Sequence, residues 1–433
     1  MKRLLKGGRV VDPANGRDGM FDILIDGDRI AEVGTNLEAA GAEVVNIPSG
    51  LVICPGFIDM HVHLREPGQE HKETVATGVA SAVAGGFTAV ACMPNTKPVN
   101  DNAGVTRLIL QKAAEANLAR VYPIGAVSRG QKGEELADIA ELKEAGCVAV
   151  TDDGMPVSTA ILARRALEYT SMFDMPMIEH CEDQTLKGDG VAHEGPVAAS
   201  LGLRGIPGAA EAITAGRDIL LAEMTGGHVH IAHMSAWTTI EAVRQGKSRG
   251  VHVTCEVCPH HFTLTDDMLA APIPYDTNTK MNPPLREARD RDAMIAGIVD
   301  GTVDVISTDH APHHYDEKNV EFDRAPFGIV GLETAVPITL DRLVHTGMIT
   351  LSRMVELMSV NPARILRVPG GSLAVGAPAD LAILAPDLRV TVDKTQLVSK
   401  SKNTPYDGWS FKGAVAATIV GGRTVFANPR AGL

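Results

Sequence analysis

Short apolar runs, punctuated by glycine and proline, set the pattern of this chain. Near the N-terminus they appear as Val10-Val11-Asp12-Pro13 and as Ile23 to Ile30, where Asp26-Gly27 is a tight-hairpin signal. From about residue 370 the same pattern returns in Asp380 to Leu384, Ala416 to Val420 and Gly421 to Val425. Both ends therefore predict strands without helices, and pairing them in one small β-sandwich accounts for both. Between about 55 and 366 the pattern changes. Apolar strands at Phe57–His63, Thr88–Cys92, Arg120–Gly125, Cys147–Thr151, Met177–Glu179, His228–His233, His252–Glu256 and Val303–Ser307 alternate with helical stretches. The helices read as Thr74–Ala84, Ala103–Ala116, Glu134–Ala145, Ser158–Thr170, Glu211–Thr225 and Trp237–Gln245. Eight strands in this alternation predict an α/β chain, a (β/α)8 barrel whose working end lies at the C-terminal strand ends. The expected division is 1–54 and 367–433 for the two parts of the sandwich, with the barrel at 55–366.

Composition narrows the function. The 433 residues are 45% hydrophobic but only 4% aromatic, with 43 glycines, which suits close helix–strand packing. A net charge of −13 without any basic run argues against nucleic-acid binding, so an anionic substrate must be held by local Arg or His. No stretch approaches the roughly 18 apolar residues of a membrane span. Residues 1–11 lack the apolar core of a signal peptide. Six scattered cysteines fit a reducing, cytoplasmic setting. Cys255 and Cys258 have the spacing of a metal or redox pair, but no second pair accompanies them, and they read as structural.

The informative chemistry sits at the predicted strand ends. In Asp59-Met60-His61-Val62-His63, two histidines two residues apart share one face of a strand and can grip one metal ion. Alone, such a pair is more often ordinary strand sequence. The later strand ends add Thr151-Asp152-Asp153-Gly154, Glu179-His180, His228-x-His230-x-x-His233 and Ser307-Thr308-Asp309-His310. Each has a bland alternative: His180 as a hydrogen-bonded strand end, His228 and His230 as structural, Asp152 as a cap of the next helix or turn. Their joint recurrence over one barrel mouth favours a site of four histidines and two aspartates. That donor set suits zinc with an open position for water, and two such ions about 3.5–4 Å apart form a hydrolytic pair.

Several longer stretches resemble dihydroorotase. They are Pro55-Gly-Phe-Ile-Asp-Met-His-Val-His-Leu-Arg-Glu-Pro-Gly68, Met93-Pro-Asn-Thr96, Thr151-Asp-Asp-Gly154, Asn282-Pro-Pro-Leu-Arg286, Ser307-Thr-Asp-His-Ala-Pro-His313 and Ser401-Lys-Asn-Thr-Pro-Tyr-Asp-Gly-Trp409. The resemblance runs from about residue 3 to 426 and is similar to the type I bacterial form. It implies a zinc-dependent, reversible interconversion of N-carbamoyl-L-aspartate and dihydroorotate in pyrimidine biosynthesis. By the same resemblance His61, His63 and Asp309 hold the more buried zinc, His180 and His233 hold a second, and Asp153 bridges the two. Asp309 also carries the proton. Arg65, Asn95 and His313 hold the substrate carboxylate, His63 also lies against the substrate, and Asn282 with Phe327-Gly328 reads the ring amide. Most superfamily relatives bridge with a carboxylated lysine, and no lysine occurs between Gly146 and Gly154. One or two zinc ions per chain are therefore expected, the second held less firmly.

Two rival readings remain at this level. Allantoinase or hydantoinase would share the barrel and the His-x-His but typically carries the bridging lysine. A chain that only supports aspartate transcarbamoylase would have lost part of the ligand set, which is complete here. An active chain could still associate with that partner. A homodimer is the default expectation. Residues 312–327, polar and charged, read equally as a lid over the site or as a fixed loop.

Overall fold

The computed structural model describes residues 2–433. Eight parallel strands form the barrel: Phe57–Val62, Phe87–Cys92, Arg120–Gly125, Ala149–Val150, Met177–Glu179, Val229–Ile231, Val253–Val257 and Val305–Ile306, each paired with the next in chain order. A parallel bridge between Val62 and His310 closes the ring, and the His63 N–H donates to the His310 carbonyl at 2.8 Å. All six residues of the first strand are buried, as parallel strands covered on both faces require.

The expected helices lie where period-3.6 patterning places them, with three differences, the first that the helix expected from Glu211 already begins at Gly208. The helix expected from Glu134 begins only at Ile139, because the Asp138 side chain accepts from the Glu141 N–H and caps it there. The helix from Trp237 runs on to Ser248. Asp152 does not cap the following helix, whose N-cap is Thr159. Its carboxylate instead accepts from the Ser128 N–H at 3.0 Å and from the Ser128 hydroxyl, tying the loops after the third and fourth barrel strands together.

Strands from the two chain ends make one continuous sheet of eight. Its order is Arg423–Ala427, Ser410–Val420, Leu381–Thr391, Val52–Pro55, Lys2–Asp12, Arg17–Asp26 and Arg29–Gly34, with Glu43–Asn46 also paired to Lys2–Asp12. The expected hairpin is present, with Asp26 paired to Arg29 across Gly27-Asp28. Val52–Pro55 joins the halves: it pairs antiparallel with Leu381–Leu384 and parallel with Arg9–Val10, then runs through Gly56 into the barrel. Two apolar cores result. One fills the space between barrel strands and helices, and the other, around Leu5, Val10, Ile23, Ile53, Leu381 and Ile419, holds the end sheet.

The first barrel strand carries a feature that shapes the site. Its register with the second strand is Asp59 to Val90 and then Val62 to Cys92, so it contains one extra residue. Met60 packs with Ala91, Ile124, Ile178 and Val305, residues contributed by other barrel strands, and the bulge allows the next residue, His61, to turn inward as well.

Candidate active site

A cavity of about 300 Å³ opens over the C-terminal strand ends. Every residue that the resemblance assigns to the site lines it except His61, which lies fully buried against the others: His63, Arg65, Asn95, Asp153, His180, His233, Asn282, Asp309, His313, Phe327 and Gly328. A larger cavity, about 540 Å³, lies beyond His313 and contains none of the clustered carboxylates and imidazoles.

At the centre, ring nitrogens face carboxylate oxygens at nearly uniform spacing. His61 Nε2 is 3.4 Å from both Asp153 Oδ1 and Asp309 Oδ1. His63 Nε2 is 3.4 Å from Asp153 Oδ2 and 3.1 Å from Asp309 Oδ1. On the other side His180 Nδ1 is 3.5 Å and His233 Nε2 is 3.4 Å from Asp153 Oδ1, and these two nitrogens are 2.9 Å apart. Asp153 therefore reaches both groups, one oxygen toward His63 and the other toward His61, His180 and His233.

The outer ring nitrogens show what this arrangement lacks. The Glu256 carboxylate only accepts, so His61 Nδ1–H donates to its Oε1 at 2.6 Å. Likewise His63 Nδ1–H donates to Asn95 Oδ1 at 2.9 Å. In these tautomers both Nε2 atoms present lone pairs to carboxylate oxygens with no hydrogen between them, and His61 Nε2 and Asp153 Oδ1 are buried without a hydrogen-bond partner. A cation resolves that opposition. Donors about 2.1 Å from a tetrahedral ion lie roughly 3.4 Å from one another, which matches the spacing found here. The residues thus fit two metal positions, His61–His63–Asp309 and His180–His233, with Asp153 common to both.

The local field agrees. Burial opposes charge on His61, but Asp153, Asp309 and Glu256 outweigh it and hold its pKa well above the usual histidine range. Burial likewise works against the His180 cation, yet Asp153 and Glu182 lift it to about 10. Buried Asp153 is nonetheless held well below the carboxylate range by His61, His180 and His233. A cluster whose anions would protonate buried imidazoles is one that a multivalent cation satisfies instead.

Three of the nine non-glycine residues with positive φ lie at this place. Arg65, His233 and Asp309 all take positive φ, 64°, 29° and 46°. The turn at Arg65 directs its side chain toward the segment after the eighth barrel strand. It is 7% exposed, donates from Nε to the Pro312 carbonyl at 3.1 Å and brings Nη2 to 3.3 Å from His313 Nε2, so no surface pair with Glu66 or Glu70 forms. Glu66 instead accepts from the Val75 N–H at the start of a helix. Gly68 closes this turn with φ of 91°, and a Cβ there would meet the Lys97 carbonyl oxygen at 2.0 Å. Asn282 Nδ2 lies 3.2 Å from His180 Nε2. The Gly328 N–H donates to the Lys280 carbonyl and its carbonyl accepts from Asn403, so it meets the cavity as backbone surface. His228 and His230 stay out of the cluster: His228 stacks on His252 at 3.9 Å, and His230 Nε2–H donates to Glu256 Oε2 at 3.3 Å.

Three residues join the site that strand-end reading passed over. Glu256 orients His61, receives His230 and accepts from the His233 N–H at 3.3 Å, so one carboxylate touches both halves of the cluster. Its only signal in the sequence was its place near the end of the seventh barrel strand. Asn403 donates from Nδ2 to the carbonyls of Ala311 and Gly328 and accepts from the His313 N–H, lacing the 311–328 loop shut. Its signal was its place inside Ser401–Trp409. Lys187 lines the cavity, pairs with Glu182 at 2.7 Å and lies over the Phe327 ring at 5.5 Å.

Comparison with known proteins settles the family. Residues 50–239 match a family described as Dihydro-orotase-like. The chain is 53% identical to the dihydroorotase of Syntrophotalea carbinolica over 98% of this chain and 99% of that protein. It is 54% identical to the dihydroorotase of Pelotomaculum thermopropionicum over 98% of each. The chain belongs to the dihydroorotase family. That family consists of metal-dependent cyclic amidohydrolases, as the carboxylate–imidazole cluster requires. Among solved structures, the L-hydantoinase (dihydropyrimidinase) of Arthrobacter aurescens superposes with a TM-score of 0.88 at 24% identity, covering 99% of this chain and 96% of that one. A D-hydantoinase (dihydropyrimidinase) from Thermus sp. gives 0.80 at 25%, covering 98% and 95%. These likenesses show the same barrel with its end sheet. Among the described residues no helix is long and apolar enough to cross a membrane.

Proposed function

We propose that this chain is a dihydroorotase, closing N-carbamoyl-L-aspartate to dihydroorotate with loss of water and running the reverse hydrolysis. The observation that carries the assignment is a buried guanidinium, Arg65, turned into the same cavity as the His61–His63–Asp153–Asp309 cluster. Both reaction partners are anions, and a cyclic-amide hydrolase without a carboxylate on its substrate has no use for that cation. Burial draws the Arg65 pKa down to about 10, which still leaves it charged. With Asn95 and His313 it can take the carboxylate that does not react, its planar fork fixing the orientation of the ring.

We infer that the metal positions hold zinc, the ion suited to imidazole and carboxylate donors in fourfold coordination. His61, His63 and Asp309 would hold one ion, His180 and His233 the other, and Asp153 both. When bound, the ions supply Lewis acidity to the reacting carbonyl and to water. Asp309 is the proton carrier. Burial disfavours its charge, but His61 and His63 keep it ionised, its pKa lowered. Its Oδ1 faces the imidazoles, and among the described residues its Oδ2 makes no hydrogen bond. In ring closure Asp309 takes the ureido proton as the nitrogen attacks the substrate carboxyl carbon, and then gives it to the departing oxygen. In hydrolysis it takes the proton of the attacking water and delivers it to the leaving amide nitrogen. Asn282 and the backbone of Phe327-Gly328 hold the ring amide edge, and residues 312–327 cover the site as a loop pinned by Asn403. We also place the working division of the chain at 1–54 and 367–433 for the end sheet and 55–366 for the barrel.

Ring opening of dihydroorotate, hydantoin and allantoin by the purified protein tests the assignment. Dihydroorotate should be turned over at least a hundredfold more efficiently than the two neutral rings, with activity lost on chelation and restored by zinc. Equal or better turnover of hydantoin would overturn it.

A further inference from the structure

The segment Cys258-Pro259-His260-His261 follows the seventh barrel strand and plays no part in the site above. Its spacing to Cys255 is misleading, because Cys255 donates its thiol hydrogen to the Thr302 carbonyl and makes no pair with Cys258. What the fold does build is a different cluster. Pro259 begins a one-turn helix, Pro259–Thr263, which returns His260 and His261 toward the Cys258 thiol. Donor atoms of the three lie within 4.8 Å of one another, and the residues are 0%, 2% and 4% exposed. The two rings meet at 4.3 Å between centroids, inclined by 62°.

The hydrogen bonding of this cluster is incomplete. His261 Nε2–H donates to the Pro283 carbonyl at 3.0 Å, which fixes the tautomer and leaves Nδ1 as a bare lone pair. That Nδ1 and His260 Nε2 are both buried with no hydrogen-bond partner. Each such group has given up its hydration without a hydrogen bond in return. Around bound metals a ligating histidine gives its outer N–H to a backbone carbonyl or carboxylate, as His261 does here to Pro283. Sulfur and nitrogen donors around zinc lie roughly 3.5 Å apart, inside the 4.8 Å within which these three donors fall.

We propose that Cys258, His260 and His261 form a second metal site, separate from the catalytic cluster, that takes one soft d10 cation such as Zn²⁺ or Cd²⁺. Binding forms a sulfur–metal bond at Cys258 and releases the thiol proton to solvent. The thiolate sets this site apart from the catalytic pair, which has only nitrogen and oxygen donors.

Cadmium titration of the zinc-loaded full chain tests this by ultraviolet thiolate-to-cadmium charge transfer. A band saturating at one equivalent per chain is expected in the native protein and in Cys255→Ser, with complete loss in Cys258→Ala. Anomalous scattering from a cadmium-soaked crystal of the unaltered protein provides a second readout independent of any variant, expected to place an ion at bonding distance from Cys258 Sγ. No band in the native protein, a band undiminished in a folded Cys258→Ala variant, or cadmium found only at the catalytic cluster would overturn the proposal.

Discussion

Asp309 and Glu256 illustrate how differently two buried carboxylates can serve one site. Asp309 faces the cavity, with one oxygen on the imidazoles and the other unbound, so its charge is available to a substrate proton. Asp309→Asn should leave the fold intact and cut turnover by about 10²–10⁴-fold, the usual worth of a positioned proton carrier. Steady-state kinetics checks this, and near-normal kcat would remove Asp309 from that role. Glu256 never meets the cavity. It holds the His61 ring by Nδ1 and the His233 backbone by its N–H, so its effect is on the donors themselves. Glu256→Gln keeps the shape but loses the charge that secures the His61 tautomer. Metal affinity should fall about 10–100-fold at both positions together. Metal content after dialysis against graded chelator measures this, and loss from one position alone would contradict the shared role.

At the scale of elements, the loop spanning 311–328 shows how a polar segment becomes a fixed wall. Asn403 stitches its two ends, and Lys280 and Lys318 donate their ammonium hydrogens to carbonyls of Phe322, Asp323 and Pro326. Burial and the neighbouring Lys280 charge push the Lys318 pKa from 10.5 down to about 7. The unfolded chain holds that proton up to about pH 10.5, while the folded chain releases it near 7, so unfolding takes up a proton in this window. Stability should therefore rise with pH between the two values. From pH 7 to pH 9 the gain from this residue is about 2 kcal/mol. Denaturant unfolding of Lys318→Met against the parent chain should show the difference between them shifting by that amount. Parallel curves would mean that Lys318 stays charged in the fold.

For the whole molecule, the end sheet meets the barrel through a strand that runs on into it, through apolar packing that includes Val52, Phe411 and Val415, and through an ion pair across the seam. Arg120 in the third barrel strand donates twice to Asp380 at the head of Leu381–Thr391, at 2.6 and 3.1 Å, and Asp380 also accepts from the Gly421 N–H. Arg120 is about one-third exposed, so water screens the pair. Arg120→Met should cost only about 1 kcal/mol of global stability, with kcat unchanged because the seam lies away from the cavity. A drop in activity without a drop in unfolding midpoint would show that the seam transmits to the site.

Much of this was legible in the chain itself. Short apolar runs mark all eight barrel strands and period-3.6 patterning most helices, because each strand must be apolar on both faces and each helix on one. Histidines and aspartates at strand ends stand out because buried apolar strands carry few polar residues, although Asp152, His228 and His230 prove structural. His61-x-His63 is readable for that reason, as are Asp153, His180, His233 and Asp309. Pairings that cross the barrel are not readable. Nothing near Glu256 says that its carboxylate meets a ring from the first strand, nothing near Asn403 says that it closes a loop ninety residues earlier, and the bulge that turns both Met60 and His61 inward exists only in register with a neighbour. Sequence periodicity reports which face a residue occupies within its own element. Which residues oppose one another across a closed barrel depends on register, bulges and backbone turns, such as the positive φ of Arg65, His233 and Asp309, and these are set only when all eight strands meet.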